Sequence, residues 1–230
     1  ERYRAQGCWA GRSLPGQLAD AFTTHADRVA LVTDEVRWTY AELEAEVRAF
    51  ARGVIATTGL RPGDRVMFQM GNVAETAVTY LGALFAGLVP VCTLAQHRSR
   101  EIELLAKHVG ARGLITQADF RDGRLLPIAE SLLADGVVDV VVLVRGGSLA
   151  GAADYREIIA AGRDSTESEY DTDLTGVAVF QLSGGTTGLP KVAPRLHEEY
   201  AYNARQWAAA LGWTPDTTVL YPLPLMHNAG

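Results

Sequence analysis

Only two cysteines and three methionines occur in this chain of 230 residues. Cys8 and Cys92 stand far apart and lack the short spacing of metal ligands. They read as two reduced structural thiols, which fits a cytoplasmic protein. Basic residues are also in deficit: 21 lysines and arginines face 27 aspartates and glutamates, a net charge of −6. The arginines are scattered, without a basic patch or arm, and a nucleic-acid partner is excluded. No apolar run reaches the roughly 18 residues of a membrane span. The longest, Val137 to Val144, is broken by Asp139, and Glu1-Arg2-Tyr3-Arg4 leads into no apolar signal core, so no membrane partner is expected either. No internal repeat is visible, and no residues are assigned to a metal. What is present is an ordinary globular composition, 48% apolar and 21% charged, enough for one large domain or two small ones.

Turn signals and hydrophobic spacing divide the chain into alternating elements. Tyr3 and Trp9 belong to an arm packed on the body, Pro15 to Ala26 is a helix, and Val29–Thr33 with Val36–Trp38 is a hairpin. Thr39-Tyr40-Ala41-Glu42 is a capping box, in which hydroxyl and carboxylate each satisfy the other residue's backbone N–H. The helix it opens carries Leu43, Val47, Phe50 and Val54 on one stripe and ends at Gly59. Strands follow at Arg65–Met70, Val89–Cys92, Gly113–Thr116 and Val137–Val144. Between them come a nearly all-apolar helix from an Asn72 cap to Phe85, one from a Ser99 cap to Val109, and one over Leu125–Ala134. A short helix at Tyr155–Ala161 precedes an acidic connection, 163–173. It is the one candidate boundary, between 1–163 and 174–230, and it reads as a tether rather than a break. His197–Ala210 is a helix and Val219–Tyr221 a last strand. Such alternation predicts an α/β fold of layered βα units, a largely parallel sheet covered on both faces by helices.

One stretch stands apart: Ser183-Gly184-Gly185-Thr186-Thr187-Gly188-Leu189-Pro190-Lys191. Its glycines let backbone N–H groups converge on one point, its hydroxyls add donors, and Lys191 adds a point charge. This is the chemistry of a polyphosphate cradle; the plain alternative is a Gly/Thr-rich surface hairpin without a ligand. The common phosphate loop is ruled out, because that motif closes Gly-Lys-Ser/Thr, whereas Leu189 follows Gly188 here and Val192 follows Lys191. Ser183 also lacks the Gly-x-Ser-x-Gly setting of a hydrolase nucleophile.

The run Ser183 to Lys191 resembles the signature of the adenylate-forming superfamily. Further stretches narrow the resemblance: Arg2-Tyr3-Arg4 with Gly7 and Trp9, Gly71-Asn72-Val73-Ala74-Glu75, Phe180-Gln181-Leu182 before the loop, Pro194-Arg195, and His227-Asn228. Together they are similar to the N-terminal domain of stand-alone aryl-acid adenylating enzymes, the 2,3-dihydroxybenzoate- and salicylate-AMP ligases of siderophore biosynthesis. The resemblance implies ATP and Mg²⁺ as cofactors, an aromatic acid as substrate, and a phosphopantetheine thiol of an aryl carrier protein, or coenzyme A, as acceptor. It places Ser183, Gly184, Gly185, Thr186, Thr187, Gly188 and Lys191 at the phosphates, and His227, Asn228 and Gly230 at the acid. No catalytic residue is assigned within the chain.

The residue type at 228 fits that implication. In related amino-acid-activating domains the corresponding position is an aspartate paired with the substrate ammonium, and a buried carboxylate without a cation is costly. Asn228 is neutral and both donates and accepts, which suits an ortho-hydroxyl or ortho-amino group; by residue type alone, a turn or cap residue after a strand is the better reading, and the resemblance is what favours the pocket. His227 reads either as a carboxylate-orienting group or as a structural residue. His25, His97, His108 and His197 read as structural, and Arg195 and Glu198 as surface or supporting groups. Ala229-Gly230 stand where siderophore members continue with a bulky residue, which opens or reshapes the pocket and admits hydroxyanthranilate- or hydroxypicolinate-like acids. The apolar, Pro-rich end reads as the interior of a longer protein. The resemblance puts the essential lysine and the adenine, ribose and magnesium motifs beyond Gly230, so this chain alone is expected to be inactive. The rival readings are a fatty-acyl or other acyl-CoA ligase, and a non-catalytic nucleotide-binding fragment.

Overall fold

The structure, a computed structural model, describes residues 2–165, 170, 172–184 and 190–227. An N-terminal arm carries the short helix α1 (Arg2–Ala5), and α2 (Leu14–Thr24) follows, capped by Ser13, whose hydroxyl accepts from the Gly16 N–H. Strands β1 (Val29–Val32) and β2 (Arg37–Thr39) form the expected antiparallel hairpin. The Thr39–Glu42 capping box is formed in both directions at the start of α3 (Tyr40–Thr58), and Gly59 ends that helix at φ 74°, a conformation glycine adopts without strain.

Then come β3 (Arg65–Gln69), α4 (Ala74–Phe85), β4 (Val89–Cys92), α5 (Ser99–Val109), β5 (Gly113–Gln117), α6 (Leu126–Ala134) and β6 (Val140–Val144). The two-residue strand β7 (Ala153–Asp154) leads into α7 (Tyr155–Asp164), and β8 (Val177–Ser183), β9 (Lys191–Leu196) and α8 (His197–Ala210) complete the order. Among the described residues these strands build a seven-stranded sheet, β7-β6-β5-β3-β4-β8-β9. All its pairings are parallel except β8 with β9.

The period of two along each strand sorts the core into two halves. Val66, Phe68, Ile115, Val142 and Val144 face α2, α3, α4 and α7. Met67, Leu114, Val141 and Leu143, their immediate neighbours in sequence, face α5 and α6. Each strand is thus apolar on both faces, as a parallel sheet covered twice requires. The stripe Leu43, Val47, Phe50 and Val54 is buried as the spacing implies.

Backbones meet closely around α3. A Cβ on Gly53 of α3 would lie 1.9 Å from the Ile158 carbonyl oxygen of α7, and one on Gly162 of α7 would lie 1.7 Å from that of Ala49. On the α4 side, a Cβ on Gly82 would lie 2.9 Å from the Val47 carbonyl oxygen and 2.7 Å from Phe50. These three glycines are where the helices touch.

Three local expectations are corrected. Asn72 does not cap α4: the cap position is Val73, without a side-chain bond, and the Asn72 amide is engaged elsewhere. Ser99 is the first residue of α5 rather than its cap; Arg98 takes that position, and its N–H donates to Glu101 Oε2 at 2.8 Å. Val219–Tyr221 is not a strand. Val219 and Leu220 are exposed and no described strand runs beside them, and β-propensity forms no ladder without a partner.

Candidate active site

Strands β8 and β9 are the two stems of the loop singled out in the sequence. Their register pairs Gln181 with Ala193, Leu182 with Val192, and Ser183 with Lys191. The last residue before the loop and its lysine therefore sit side by side at the mouth of the hairpin. Pro194 sits in β9, which among the described residues lies at the sheet's edge, where proline is tolerated. Ser183 is half-buried, Gly184 and Lys191 are exposed, and nothing stands within 4 Å of the place a Gly184 Cβ would occupy. Gly185, Thr186, Thr187 and Gly188 lie outside the described residues, as do Asn228 and Gly230.

The hairpin mouth opens on a cleft of about 120 Å³ lined by Cys92, Leu94 and His97, by Leu182–Gly184, and by Pro190, Met226 and His227. Cys92 ends β4 and Ser183 ends β8, so the cleft lies off the carboxyl ends of neighbouring parallel strands, where open α/β sheets receive ligands. The fold thus joins two stretches separated in sequence, the loop and His227. Met226 is buried in the core beside the cleft, and the His227 N–H donates to the Pro224 carbonyl at 2.9 Å, which turns the segment back toward the hairpin. A larger hollow of about 410 Å³ lies at the opposite end of the sheet, near Thr57, Asp139 and Asp154, and holds none of the predicted site residues.

Two cleft residues escape sequence reasoning. His97 Nδ1 accepts the Leu94 N–H at 3.2 Å, and its carbonyl accepts from Gln69 Nε2 at 3.0 Å. Burial pushes the His97 pKa down, so the ring is neutral at neutral pH, and with Nδ1 accepting, its proton resides on Nε2. Burial pushes the Cys92 thiol up to about 12, which removes it as a nucleophile. Neither residue lies near the loop in sequence, and no local pattern marks them.

Behind the cleft a polar brace ties the hairpin to α8. The buried Gln181 donates from Nε2 to Tyr200 Oη at 2.7 Å and accepts from Arg195 Nη1 at 2.9 Å. Arg195 also grips Glu199 (Nη2–Oε1 2.6 Å, Nε–Oε2 2.9 Å) and lies 4.7 Å above the Tyr200 ring centroid. Hydrogen bonding to Glu199 raises the Arg195 pKa further, so the cation is permanent.

Glu198 is not a surface group either. Its side chain is 2% exposed, accepts the Gly11 N–H at 2.8 Å and pairs with Arg4, whose guanidinium holds the Glu198 pKa below the usual carboxylate value. The cover is thin, because it consists of the N-terminal arm itself. That arm is tied down again where Arg205 of α8 donates to the Cys8 carbonyl at 3.1 Å, and Tyr3 packs on Trp9 with ring centroids 5.5 Å apart. His197 is buried, with Nδ1 3.4 Å from the Leu14 N–H, and keeps its structural reading.

Which residues suit a nucleotide can be judged from this geometry. Ser183, Gly184 and Lys191 present a hydroxyl, an unobstructed backbone and a cation at one mouth, which fits a phosphate group. None of the described cleft residues is a carboxylate, and magnesium has no ligand assigned here.

Comparison with known proteins gives these observations a context. Residues 18–230 match the family described as AMP-binding enzyme. The chain is 33% identical over 234 residues to a salicylyl-CoA synthase / salicylate adenylyltransferase of Streptomyces sp, covering 99% of this chain and 42% of that protein. It is 31% identical over 227 residues to the vibriobactin-specific 2,3-dihydroxybenzoate-AMP ligase of Vibrio cholerae serotype O1, covering 99% of this chain and 41% of that protein. Among solved structures, Mycobacterium smegmatis MbtA in its apo form superposes with a TM-score of 0.88 at 37% identity, over 99% of this chain and 42% of that one. The chain spans about two fifths of the length of the curated relatives it matches.

Proposed function

Because the chain belongs to the AMP-binding enzyme family, with aryl-acid AMP ligases among its relatives, we propose that the full-length protein activates an ortho-hydroxylated aryl acid as its adenylate. Salicylate and 2,3-dihydroxybenzoate are the leading substrates. Siderophore or other nonribosomal peptide biosynthesis in the cytoplasm is the setting. The reading rests above all on the convergence of Ser183, Gly184 and His227 on one cleft at the carboxyl ends of β4 and β8.

In the proposed reaction a carboxylate oxygen of the acid attacks the α-phosphorus of ATP, and pyrophosphate leaves with the electron pair of the broken P–O bond. The thiol of a carrier protein's phosphopantetheine, or of coenzyme A, then attacks the acyl carbon and displaces AMP. Such chemistry depends on positioning and on neutralising charge. Ser183, Gly184 to Gly188 and Lys191 hold the β- and γ-phosphates, with Mg²⁺ supplying charge neutralisation when bound. His227 and Asn228 form the floor of the acid pocket, and Gly230 leaves room beside the ring.

Pyrophosphate release by the full-length protein, measured over a panel of acids with the 230-residue chain as an inactive control, tests the reading. Release with salicylate or 2,3-dihydroxybenzoate, and not with long-chain aliphatic acids, is the expected result. Turnover of aliphatic acids alone would make the protein a fatty-acyl ligase. ATP binding without any release would make it a nucleotide-binding protein.

Lys191 has a narrower expectation. Its replacement by alanine removes one exposed cation from the phosphate end, and the KM for ATP rises by about tenfold, the equivalent of one charge-assisted contact. Binding of the aryl acid, followed by calorimetry, stays within about twofold on the same scale. Equal loss of both would withdraw Lys191 from the phosphate site.

A further inference from the structure

The Asn72 side chain reaches across the molecule to the segment that ends in His227. Its Nδ2 donates to the Leu223 carbonyl at 2.7 Å, and its Oδ1 accepts the Leu225 N–H at 2.8 Å. One amide therefore bonds both flanks of Pro224, as a neighbouring strand would bond a β-strand. Among the described residues no strand runs there, and Pro222 and Pro224 bring no N–H of their own.

Asn72 can act as a fixed point because its own backbone is held. The Gly71 N–H donates to Gln117 Oε1 at 3.0 Å, and the Gly71 carbonyl accepts from Thr76 Oγ1 at 2.7 Å. Gln117 is in turn the last residue of β5, inside the sheet. A short rigid path thus runs from β5 through Gly71 and Asn72 to Leu223 and Leu225. Beyond these, Met226 is anchored in the core and His227 enters the cleft. Leu223 and Leu225 are exposed and supply little burial, so the amide shares with the buried Met226 the task of fixing the segment's register.

We propose that Asn72 is a positioning residue for the acid end of the site: it sets the register of Pro222–His227 and thereby the placement of His227. The assignment rests on the functional reading above. The phosphate end does not share this support, since the hairpin is held by Gln181, Arg195 and Tyr200. The two ends should therefore respond differently to substitution.

In the full-length protein, Asn72→Ala is expected to raise the KM for salicylate or 2,3-dihydroxybenzoate by roughly five- to thirtyfold, as two partly exposed hydrogen bonds cease to select the competent arrangement. The KM for ATP is expected to move less than about twofold by the same reasoning. Asn72→Asp keeps the acceptor for the Leu225 N–H and loses the donor, and should fall between the two. Hydrogen exchange gives a readout independent of turnover: the Leu225 amide exchanges faster in Asn72→Ala and remains partly protected in Asn72→Asp. Equal rises in both KM values, no rise in either, or unchanged protection at Leu225 would each overturn the assignment. If the unaltered protein turns over no aryl acid, the functional reading fails, and the exchange measurement alone then decides whether the clamp exists.

Discussion

Alanine at Gly162 destabilises the protein by about 3 kcal/mol or more, and alanine at Gly53 does the same, because neither new methyl group has anywhere to go. The Cβ at Gly162 would lie 1.7 Å from the Ala49 carbonyl oxygen and 2.7 Å from the Gly53 nitrogen. The obstacle is backbone inside two helices, which cannot rotate aside as a side chain can. Relief requires α7 to lift off α3, which would open the interior around Phe50, Val54 and Ile158, all of them fully or nearly fully buried. A loss of that size is a large share of the roughly 5–15 kcal/mol by which folded domains are stable. Denaturant titration of the full-length variants measures it directly. A midpoint indistinguishable from that of the unaltered protein would mean that the helices slide apart without cost.

Arg195→Ala is expected to lower kcat/KM for ATP by roughly 10- to 100-fold while the protein stays folded, in line with about 1.5–3 kcal/mol for a hydrogen bond to a charged group. The substitution removes the fork on Glu199, the cation over Tyr200 and the donor to Gln181 Oε1 together. Gln181 stands two residues before Ser183 in the same strand, so the loss falls on the stem that aims the loop. Lysine at 195 should restore only part of the activity, since a single ammonium cannot serve two partners in one plane and stack as well. Steady-state kinetics at varied ATP settle the point. If Arg195→Ala leaves KM and kcat for ATP within about twofold, the brace supports the fold and not the site.

What could be read from the sequence was what is encoded locally. The Thr39–Glu42 box, the stripe from Leu43 to Val54 and the alternation of strands and helices depend on residues two to four apart, and they appear as written. The hairpin stems are not among them: the antiparallel pairing of β8 with β9 that sets Ser183 beside Lys191 comes from the structure. The contacts that sequence reading missed join distant parts of the chain. Arg4 meets Glu198 across 194 positions, and Asn72 meets Leu223 across 151. Asn72 is instructive because its local pattern, Asn with Glu three residues later, is a sound capping signal. The distant backbone of Leu223 and Leu225 offered the same amide two bonds instead of one. Val219–Tyr221 shows the converse, a stretch of good strand formers with no strand beside it among the described residues.

The strand order has a consequence for how the chain is made. Strand β4 precedes β8 by the whole stretch from Cys92 to Val177, yet β8 is its neighbour on one side. At roughly 5–20 residues per second, a ribosome takes several seconds to deliver that neighbour. All that time Val89, Val91 and Cys92, apolar and destined to be fully covered, sit on an open strand edge able to pair with another nascent chain. That exposure ends only when β8, the strand leading to Ser183, is made and closes the edge.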